Sequence, residues 1–353
     1  MKIGLLIYGS LETLSGGYLY DRELVKYLRA CGEQVEIISL PWRNYAAHLG
    51  DNLRFRLPAG LDILIQDELN HPSLLAANAG KHAYPIVSLV HHLRCSEQHP
   101  AWLLPLYRAV EKRYLRSVDG FIFNSETTRQ ATGELANLHR PEVVAYPPTG
   151  RFGTALPAEF VVARAVEPGP LRLVFVGNLI PRKGLHTLLE ALLAAPPDLH
   201  LDVIGSLEVD PVYARRMQQQ ARDQGLSERV AFHGALTDEA LSQKLKAAQA
   251  LVVPSSYEGY GIVYLEGMGF GLPVIGSRAG AASEIISDGQ NGYLIEPGDA
   301  AGLAACLQTL ASYPNLLRDM SLRALERYRQ QPAWEHSAES IRQFLIGILE
   351  KRI

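Results

Sequence analysis

The hydrophobic positions of this chain form short apolar runs that alternate with stretches of helical periodicity. Short apolar runs between turn residues predict buried strands, and longer amphipathic stretches predict helices. In the first half the predicted strands are Ile3–Tyr8, Val35–Ser39, Ile63–Gln66, Ile86–Val90 and Gly120–Phe123. In the second half they are Leu171–Val176, Leu199–Ile204, Val230–Phe232, Ala250–Val253, Pro273–Gly276 and Tyr293–Ile295. Strands that alternate with helices predict an α/β fold of parallel sheets covered on both faces.

The chain is long enough for two such domains, since its 353 residues exceed one ordinary core. Prolines and glycines crowd between Gly150 and Pro170, a composition typical of a linker rather than an element. We therefore predict doubly wound domains over 1–160 and 165–330 that face each other across a cleft. Open parallel sheets bind ligands at the carboxyl ends of their strands. A last helix over about 334–353, after a break near Pro332, is compatible with packing on either domain.

Composition excludes several classes of protein. A hydrophobic content of 47% with 20% charged residues indicates a folded globular chain, and a net charge of −3 gives no argument for nucleic acid. Cys31, Cys95 and Cys306 lack any Cys-x-x-Cys spacing, which argues against a zinc site and fits a reducing compartment. The first apolar run is too short for a signal peptide, and no run reaches the roughly 18 residues of a membrane helix. We expect a cytoplasmic protein.

Two glutamates eight positions apart are the most informative feature of the second half. Glu258 and Glu266 flank a glycine-rich turn that follows the predicted strand Ala250–Val253. A strand that enters a helix through such a turn directs backbone N–H groups at an anion. If the segment were helical throughout, the carboxylates would lie roughly 12 Å apart, beyond the roughly 5–9.5 Å of a glycosidase pair. That spacing suits the two ends of an elongated ligand such as a nucleotide sugar.

A pair of cations follows the first strand of the second half. Arg182 and Lys183 lie between the strand Leu171–Val176 and a helix predicted over Leu185–Leu193. At the head of a helix, where the dipole favours anions, adjacent cations form a strong diphosphate site. The alternative is that both are solvated surface charges. Their combination with the two glutamates favours the diphosphate site.

The first half offers a glycine pair and a histidine pair at strand ends. Gly16 and Gly17 follow the first strand and allow close approach of a phosphate or sugar, although plain turns use such pairs as often. His91 and His92 follow the strand Ile86–Val90, and their side chains are expected on opposite faces. We assign ligand contact to His91, with His92 as the alternative.

The sequence lacks the motifs of several other enzyme classes. It contains no Asp-x-Asp triplet, which many metal-dependent sugar transferases use to hold a divalent ion. It also lacks a phosphate-binding P-loop and a Gly-x-Ser-x-Gly nucleophile motif. We therefore expect neither a metal nor a bound cofactor.

Taken in order, these motifs resemble glycosyltransferase family 4 of the GT-B fold. The resemblance covers nearly the whole chain, from the glycine pair and the strand-end histidine to the Arg182-Lys183 pair and the Glu-x7-Glu block. It implies two Rossmann-like domains and a retaining, metal-independent transfer of sugar from a nucleotide-sugar donor, such as a UDP- or GDP-sugar. It also implies that the last helix crosses back to the first domain near Trp334.

The resemblance implies roles residue by residue. Arg182 and Lys183 would neutralise the donor diphosphate, Glu266 would bind the ribose and Glu258 the donor sugar. The catalytic set is His91, Arg182, Lys183 and Glu258. The donor-binding set is Gly16, Gly17, Gly177, Arg182, Lys183, Gly205, Phe232, Gly234, Glu258, Tyr260, Gly261, Ile262 and Glu266.

The acceptor and the reaction type leave alternatives. Basic and aromatic residues around Trp42–Tyr45 and Arg54–Arg56 are candidates for binding a glycan, lipid-linked or small-molecule acceptor. The basic amphipathic stretch 103–116 predicts either peripheral contact with the inner face of a membrane or an ordinary core-facing helix. Rival functions are a nucleotide-sugar 2-epimerase, which would turn over donor without acceptor, a sugar phosphorylase and a catalytically silent binding module.

Overall fold

The computed structural model describes residues 1–351, and the chain divides into two compact units. One unit comprises Met1–Pro148 together with the segment that begins at Pro332, and the other is Thr149–Gln331. The last helix spans Trp334–Glu350. It belongs to the first unit, where the ring of Trp334 lies 5.0 Å from that of Tyr20. The final two residues of the predicted helix 334–353 lie outside the described residues.

The first unit is built on a parallel sheet of six strands. Its strands are β1 Lys2–Tyr8, β2 Gln34–Leu40, β3 Ile63–Asp67, β4 Ile86–Val90, β5 Gly120–Phe123 and β6 Glu142–Val144. They lie in the order β2-β1-β3-β4-β5-β6, so the order reverses between β1 and β3. The short β6 is the one strand of this sheet that the hydrophobic pattern did not predict. The helices before the crossover to the second unit are α1 Gly16–Ala30, α2 Tyr45–Asp51, α3 His71–Leu74, α4 Leu104–Leu115 and α5 Glu126–Ala136.

Alternation along the strands gives this sheet two apolar faces. Ile63 and Ile65 of β3 lie in one buried cluster, whereas Leu64 lies in the other, as the two-residue period of a strand requires. The first cluster also contains Leu24 of α1 and Ile341 of the last helix. Both faces are therefore covered, which explains why the strands read as continuous apolar runs.

The second unit has a parallel sheet of the same size. Its strands are β7 Leu171–Val176, β8 Leu199–Ile204, β9 Val230–Gly234, β10 Ala250–Val253, β11 Val274–Ser277 and β12 Gly292–Ile295. Their order is β12-β11-β10-β7-β8-β9, with the reversal between β7 and β10. The helices are α6 Ala158–Ala165, α7 Leu185–Ala194, α8 Pro211–Asp223, α9 Asp238–Ala247, α10 Ile262–Gly269, α11 Ala300–Ser312 and α12 Pro314–Arg329, after which the chain continues into α13 Trp334–Glu350.

The segment predicted as a linker contains a helix, so that prediction was wrong in part. Helix α6 lies between the prolines and glycines of 150–170 and belongs to the second unit. Its Arg164 donates hydrogen bonds to the carbonyl oxygens of Phe270 and Gly271, at 2.8 and 2.9 Å. This buried guanidinium fixes α6 against the turn that ends α10, a contact that local composition does not reveal.

Among the described residues, no helix combines the length and the apolar character needed to cross a bilayer.

Candidate functional site

The cationic pair lies at the point where the strand order of the second sheet reverses. Arg182 and Lys183 form a short 3-10 turn with Pro181 directly after β7, and Glu258 follows β10, the neighbour of β7. In open parallel sheets this switch point opens a crevice at the carboxyl ends of the strands. The topology thus brings together charges that are 75 positions apart in the chain.

Glu258 is the centre of this group. Its Oε1 accepts hydrogen bonds from Lys183 Nζ at 2.5 Å and from Ser255 Oγ at 2.6 Å. Its Oε2 lies 3.8 Å from Arg182 Nη1, which also donates to the carbonyl oxygen of Tyr257 at 2.9 Å. The side chain of Lys183 is only 15% exposed. The alternative of two solvated surface charges therefore does not hold.

The two cations determine the charge of Glu258. Burial alone would raise the pKa of this carboxyl, but Lys183 and Arg182 outweigh burial and lower its pKa from 4.5 to about 2. Burial lowers the pKa of Lys183, and the carboxylate of Glu258 opposes that change. Glu258 is consequently an ionised partner of the cations throughout the neutral range and a poor proton acceptor.

Glycines at three neighbouring strand ends form the floor beside the cations. The N–H of Gly177 donates to Ile204, and the N–H of Gly205 donates to Gly234, both at 2.9 Å. A Cβ on Gly205 would lie 1.9 Å from the carbonyl oxygen of Gly177. These predicted donor-site glycines thus lie side by side because no side chain separates them. The predicted Phe232 is half-buried on β9, which is separated from β7 by β8.

The segment between the two glutamates is not helical throughout. Helix α10 begins at Ile262, and Gly261 before it has a φ of 97°, a left-handed conformation that favours glycine. Glu258 precedes the helix and pairs with Gly280 in an isolated β-bridge. The estimate of roughly 12 Å assumed a continuous helix and therefore does not apply.

The start of α10 carries the predicted backbone donors. No side chain caps this helix at Gly261, which leaves its amino-terminal dipole directed toward the switch point. The ring of Tyr260 is buried, and its hydroxyl accepts a hydrogen bond from Gln331 at 2.8 Å. Any contact of Tyr260 with an anion therefore falls to its backbone.

Glu266 lies apart from the cationic pair and has a partner that sequence reasoning missed. Its Oε1 accepts from Arg151 Nη1 at 3.2 Å, and Arg151 Nη2 also contacts Asp238 at 2.6 Å. Burial raises the pKa of Glu266, and Arg151 opposes this rise. Arg151 lies 115 positions before Glu266, so no local pattern pointed to it.

In the first unit, His91 also has a missed partner. His91 follows β4, and its Nε2 lies 3.0 Å from Oδ1 of Asp21, a fully buried residue of α1. A Cβ on Gly17 would lie 3.3 Å from Cδ2 of His91, so the glycine allows this close approach. Gly17 and Asp21 are four positions apart on one helix face, which is the signal that would have found Asp21. His92 contacts a different residue, Glu97, at 3.0 Å.

Three acidic side chains influence His91. Burial lowers its pKa, but Asp21, Asp67 and Glu68 together outweigh burial and raise it. Burial also raises the pKa of Asp67 to about 6. The ligand atoms of Asp21, Asp67 and His91 all lie within 4.8 Å of one another, so these residues could hold a cation.

A second buried group with possible ligand atoms comprises Glu68, His71 and Glu111. It is already engaged internally. Tyr45 Oη lies 3.0 Å from His71 Nε2, and Cys95 N–H donates to Glu111 at 3.0 Å. This group fits a structural polar network better than an ion site.

Comparison with known proteins places the cationic site in a recognised type of domain. Residues 160–327 match the family model described as "Glycosyl transferases group 1". The match lies within the second unit. It includes Arg182, Lys183, Glu258 and Glu266.

Two relatives that align with the whole chain are named as mannosyltransferases. The MMP α-(1→4)-mannosyltransferase of Mycolicibacterium hassiacum is 28% identical over 100% of this chain and 98% of its own length. The chain spans only 54% to 66% of the length of several other curated relatives, among them a D-inositol 3-phosphate glycosyltransferase of Nocardia farcinica and a glycogen synthase of Mycobacterium tuberculosis.

Solved structures share the fold. Sucrose-phosphate synthase of Thermosynechococcus elongatus superposes with a TM-score of 0.81 at 21% identity, covering 99% of both chains. HepE of Anabaena, solved with UDP and glucose, gives 0.73 at 20% identity over 98% of this chain and 99% of its own. The predicted α/β fold of two Rossmann-like units is confirmed as that of the GT-B glycosyltransferases. The matches support a glycosyltransferase enzyme and give no support to the epimerase or phosphorylase alternative.

Proposed function

We propose that the protein transfers a sugar from a nucleotide-sugar donor to a glycan, lipid-linked or small-molecule acceptor. The observation that carries this proposal is the Lys183–Glu258–Arg182 group at the switch point of the matched domain. Two cations beside a helix start are what a diphosphate requires. A UDP- or GDP-sugar is the proposed donor, and the UDP bound to HepE supports the first of these.

The cations act on the leaving group. Cleavage of the anomeric C–O bond places new negative charge on the nucleoside diphosphate. Arg182, Lys183 and the amino terminus of α10 stabilise that charge without a metal, as preorganised electrostatics. Glu258 holds both cations in place. When the diphosphate binds, it takes over part of this charge pairing.

Transfer is proposed to retain the configuration of the anomeric carbon. The acceptor attacks from the face on which the diphosphate departs, and the acceptor proton passes to the departing phosphate oxygen. Glu258 is a poor nucleophile for a covalent route because its carboxylate pairs with Lys183 and Arg182 and accepts from Ser255 through Oε1. Its proposed role is to bind donor-sugar hydroxyls, and that of Glu266 is to bind the ribose. His91 is proposed to position the donor sugar.

A donor screen with product analysis tests this function. The chain is incubated with UDP-, GDP- and ADP-sugars, with and without acceptor candidates, in buffer containing EDTA. We expect nucleoside diphosphate release that depends on acceptor, survives EDTA and falls strongly in Lys183→Gln but not in Glu190→Gln, an exposed control on α7. NMR of the product gives the anomeric configuration.

Three outcomes would contradict parts of the proposal. Donor conversion without acceptor would indicate an epimerase. Loss of activity in EDTA would indicate a metal requirement, with Asp21, Asp67 and His91 as the first residues to test. An inverted product would exclude the front-face route.

We further propose peripheral contact with the inner face of a membrane through the stretch 103–116. Helix α4 buries Tyr107, Val110 and Tyr114. Its inner face therefore packs in the core, as the alternative of an ordinary core-facing helix predicted. Its outer side presents Leu106, and Trp102 just before it is 77% exposed. Co-sedimentation with anionic vesicles should fall in Trp102→Ser/Leu106→Ser. Equal sedimentation of this variant and the native chain would refute the contact.

A further inference from the structure

A basic pocket opens on the first unit. It has a volume of about 610 Å³. Its lining includes His82 before β4 and Asp119 before β5, so it lies at the amino-terminal ends of these strands. His91 follows the opposite end of β4, roughly 16 Å along a five-residue strand. The pocket is therefore separate from His91 and lies at the opposite end of β4.

Cationic side chains dominate the lining. The lining contains four cations and one carboxylate. The cations are Lys81, Arg113, Arg116 and Arg140, and the carboxylate is that of Asp119. With His82 counted as neutral, four positive charges against one negative charge leave +3, whereas the whole chain carries −3. Within residues 1–351 none of these four cations forms an ion pair, and all four are exposed. These charges thus lack ion-pair partners among the described residues, and Arg116 donates a long hydrogen bond of 3.5 Å to the carbonyl oxygen of Ala136.

The floor of the pocket is fixed by buried polar contacts. Asn78 is 3% exposed, and its Nδ2 donates to Gln66 Oε1 at 2.8 Å and to Ser117 Oγ at 3.2 Å. His82 Nε2 bonds the carbonyl oxygen of Asn78 at 2.9 Å. Asp119 is also engaged, because its Oδ2 accepts from the N–H of Ile86 at 2.9 Å. The carboxylate of Asp119 is thus hydrogen-bonded to the backbone N–H of Ile86 and is not paired with the four cations.

Helix electrostatics explains only part of this arrangement. Arg113 lies in the last turn of α4 and Arg116 is its C-cap residue, where positive charge complements the helix dipole. Lys81 and Arg140 come from loops before β4 and β6 and gain nothing from that dipole. Their convergence on the same pocket requires a different reason.

We propose that this pocket binds a ligand that carries phosphate groups. Arginine forks bind phosphate through paired hydrogen bonds, and lysine adds a compact charge. The volume suits a small molecule. None of the described lining residues is Phe, Tyr or Trp. The one ring in the lining, that of His82, is hydrogen-bonded to the carbonyl oxygen of Asn78, so the pocket lacks a large aromatic surface for a nucleobase. The fitting class is a sugar phosphate, a polyphosphate or a lipid headgroup that ends in a phosphomonoester.

Calorimetric titration with inorganic pyrophosphate tests the site. The proposed donor site also attracts pyrophosphate, so the measurement uses Lys183→Gln as the background, in which the pocket is intact. We expect one equivalent to bind. Arg113→Gln/Arg140→Gln in this background should weaken binding about 10- to 100-fold, as expected for lost charged hydrogen bonds. The matched control is Arg215→Gln/Arg222→Gln, which removes the same charge from exposed positions on α8.

A second experiment distinguishes a lipid headgroup from a soluble phosphate ester as the ligand. Vesicles containing phosphatidic acid are sedimented with each variant, with and without competing pyrophosphate. Vesicle binding that falls in the Arg113/Arg140 variant and is displaced by pyrophosphate assigns the pocket to a lipid headgroup. Pyrophosphate binding without this vesicle effect assigns it to a soluble phosphate ester. Equal pyrophosphate affinity of the pocket variant and the control overturns the proposal, as does the absence of binding in the Lys183→Gln background.

Discussion

Replacing Glu258 by glutamine tests the charge group at the switch point most severely. The substitution preserves the size of the side chain but removes the negative charge that pairs with Lys183 and Arg182. Both cations then remain in a crevice without their carboxylate. We expect the second unit to lose stability at neutral pH and the loss to depend on pH in a defined way.

The magnitude follows from the pKa of Glu258. One pKa unit corresponds to about 1.36 kcal/mol, so a decrease from 4.5 to about 2 represents about 3 kcal/mol of stability from the ionised carboxylate. Because the folded-state pKa is lowered, this contribution is complete above pH 4.5 and disappears as the pH falls through 2. Near pH 3 about half of it should remain.

Differential scanning calorimetry of the whole chain measures this effect. For a unit of this size, a loss of about 3 kcal/mol lowers the Tm by about 6–12 °C. We expect that decrease in Glu258→Gln at pH 7, a smaller difference near pH 3, and little change in the control Glu190→Gln at either pH. A pH-independent difference, or none at pH 7, would refute the ion-pair account of this glutamate.

Three further predictions concern the groups that surround the proposed site. Asp21→Asn should lower the pKa of His91, measured by NMR titration of the ring protons of this histidine. An unchanged pKa would show that Asp21 does not stabilise the protonated ring of His91. Gly17→Ala adds a Cβ 3.3 Å from His91, so we expect about tenfold lower kcat/KM from displacement of the ring, with little change in Tm; native activity would argue against a role for this histidine. Gly205→Ala places a Cβ 1.9 Å from the carbonyl oxygen of Gly177 and should destabilise the second unit by about 2–4 kcal/mol, measured by calorimetry. A native Tm would mean that the two strand ends separate readily.

Most of the fold could be predicted from the sequence because its determinants are local. Apolar runs in the two parallel sheets reveal every strand except β6, whose three residues are only partly buried or exposed. The position of Arg182 and Lys183 between β7 and the next helix likewise predicted them as an anion site. In each case, residues close in the chain carry the whole signal.

The partners of the site residues were missed because they are distant in the chain, although the spacing of Gly17 and Asp21 on one helix face contained a signal for one of them. Asp21 meets His91 across 70 positions, and Arg151 meets Glu266 across 115. The start of α10 could not be located from the sequence for a different reason. Periodicity does not distinguish a helix from the turn before it, whereas the left-handed φ of Gly261 sets the boundary at Ile262.

Calorimetric titration of UDP, GDP and ADP in the presence of EDTA tests the central claim most directly. The account predicts that at least one nucleoside diphosphate binds to the native chain without a divalent ion. It also predicts that Lys183→Gln weakens this binding by about 10- to 100-fold, the cost of one charged hydrogen bond to phosphate, while Glu190→Gln leaves it unchanged. Equal affinity in Lys183→Gln, or binding that EDTA abolishes, would contradict the account.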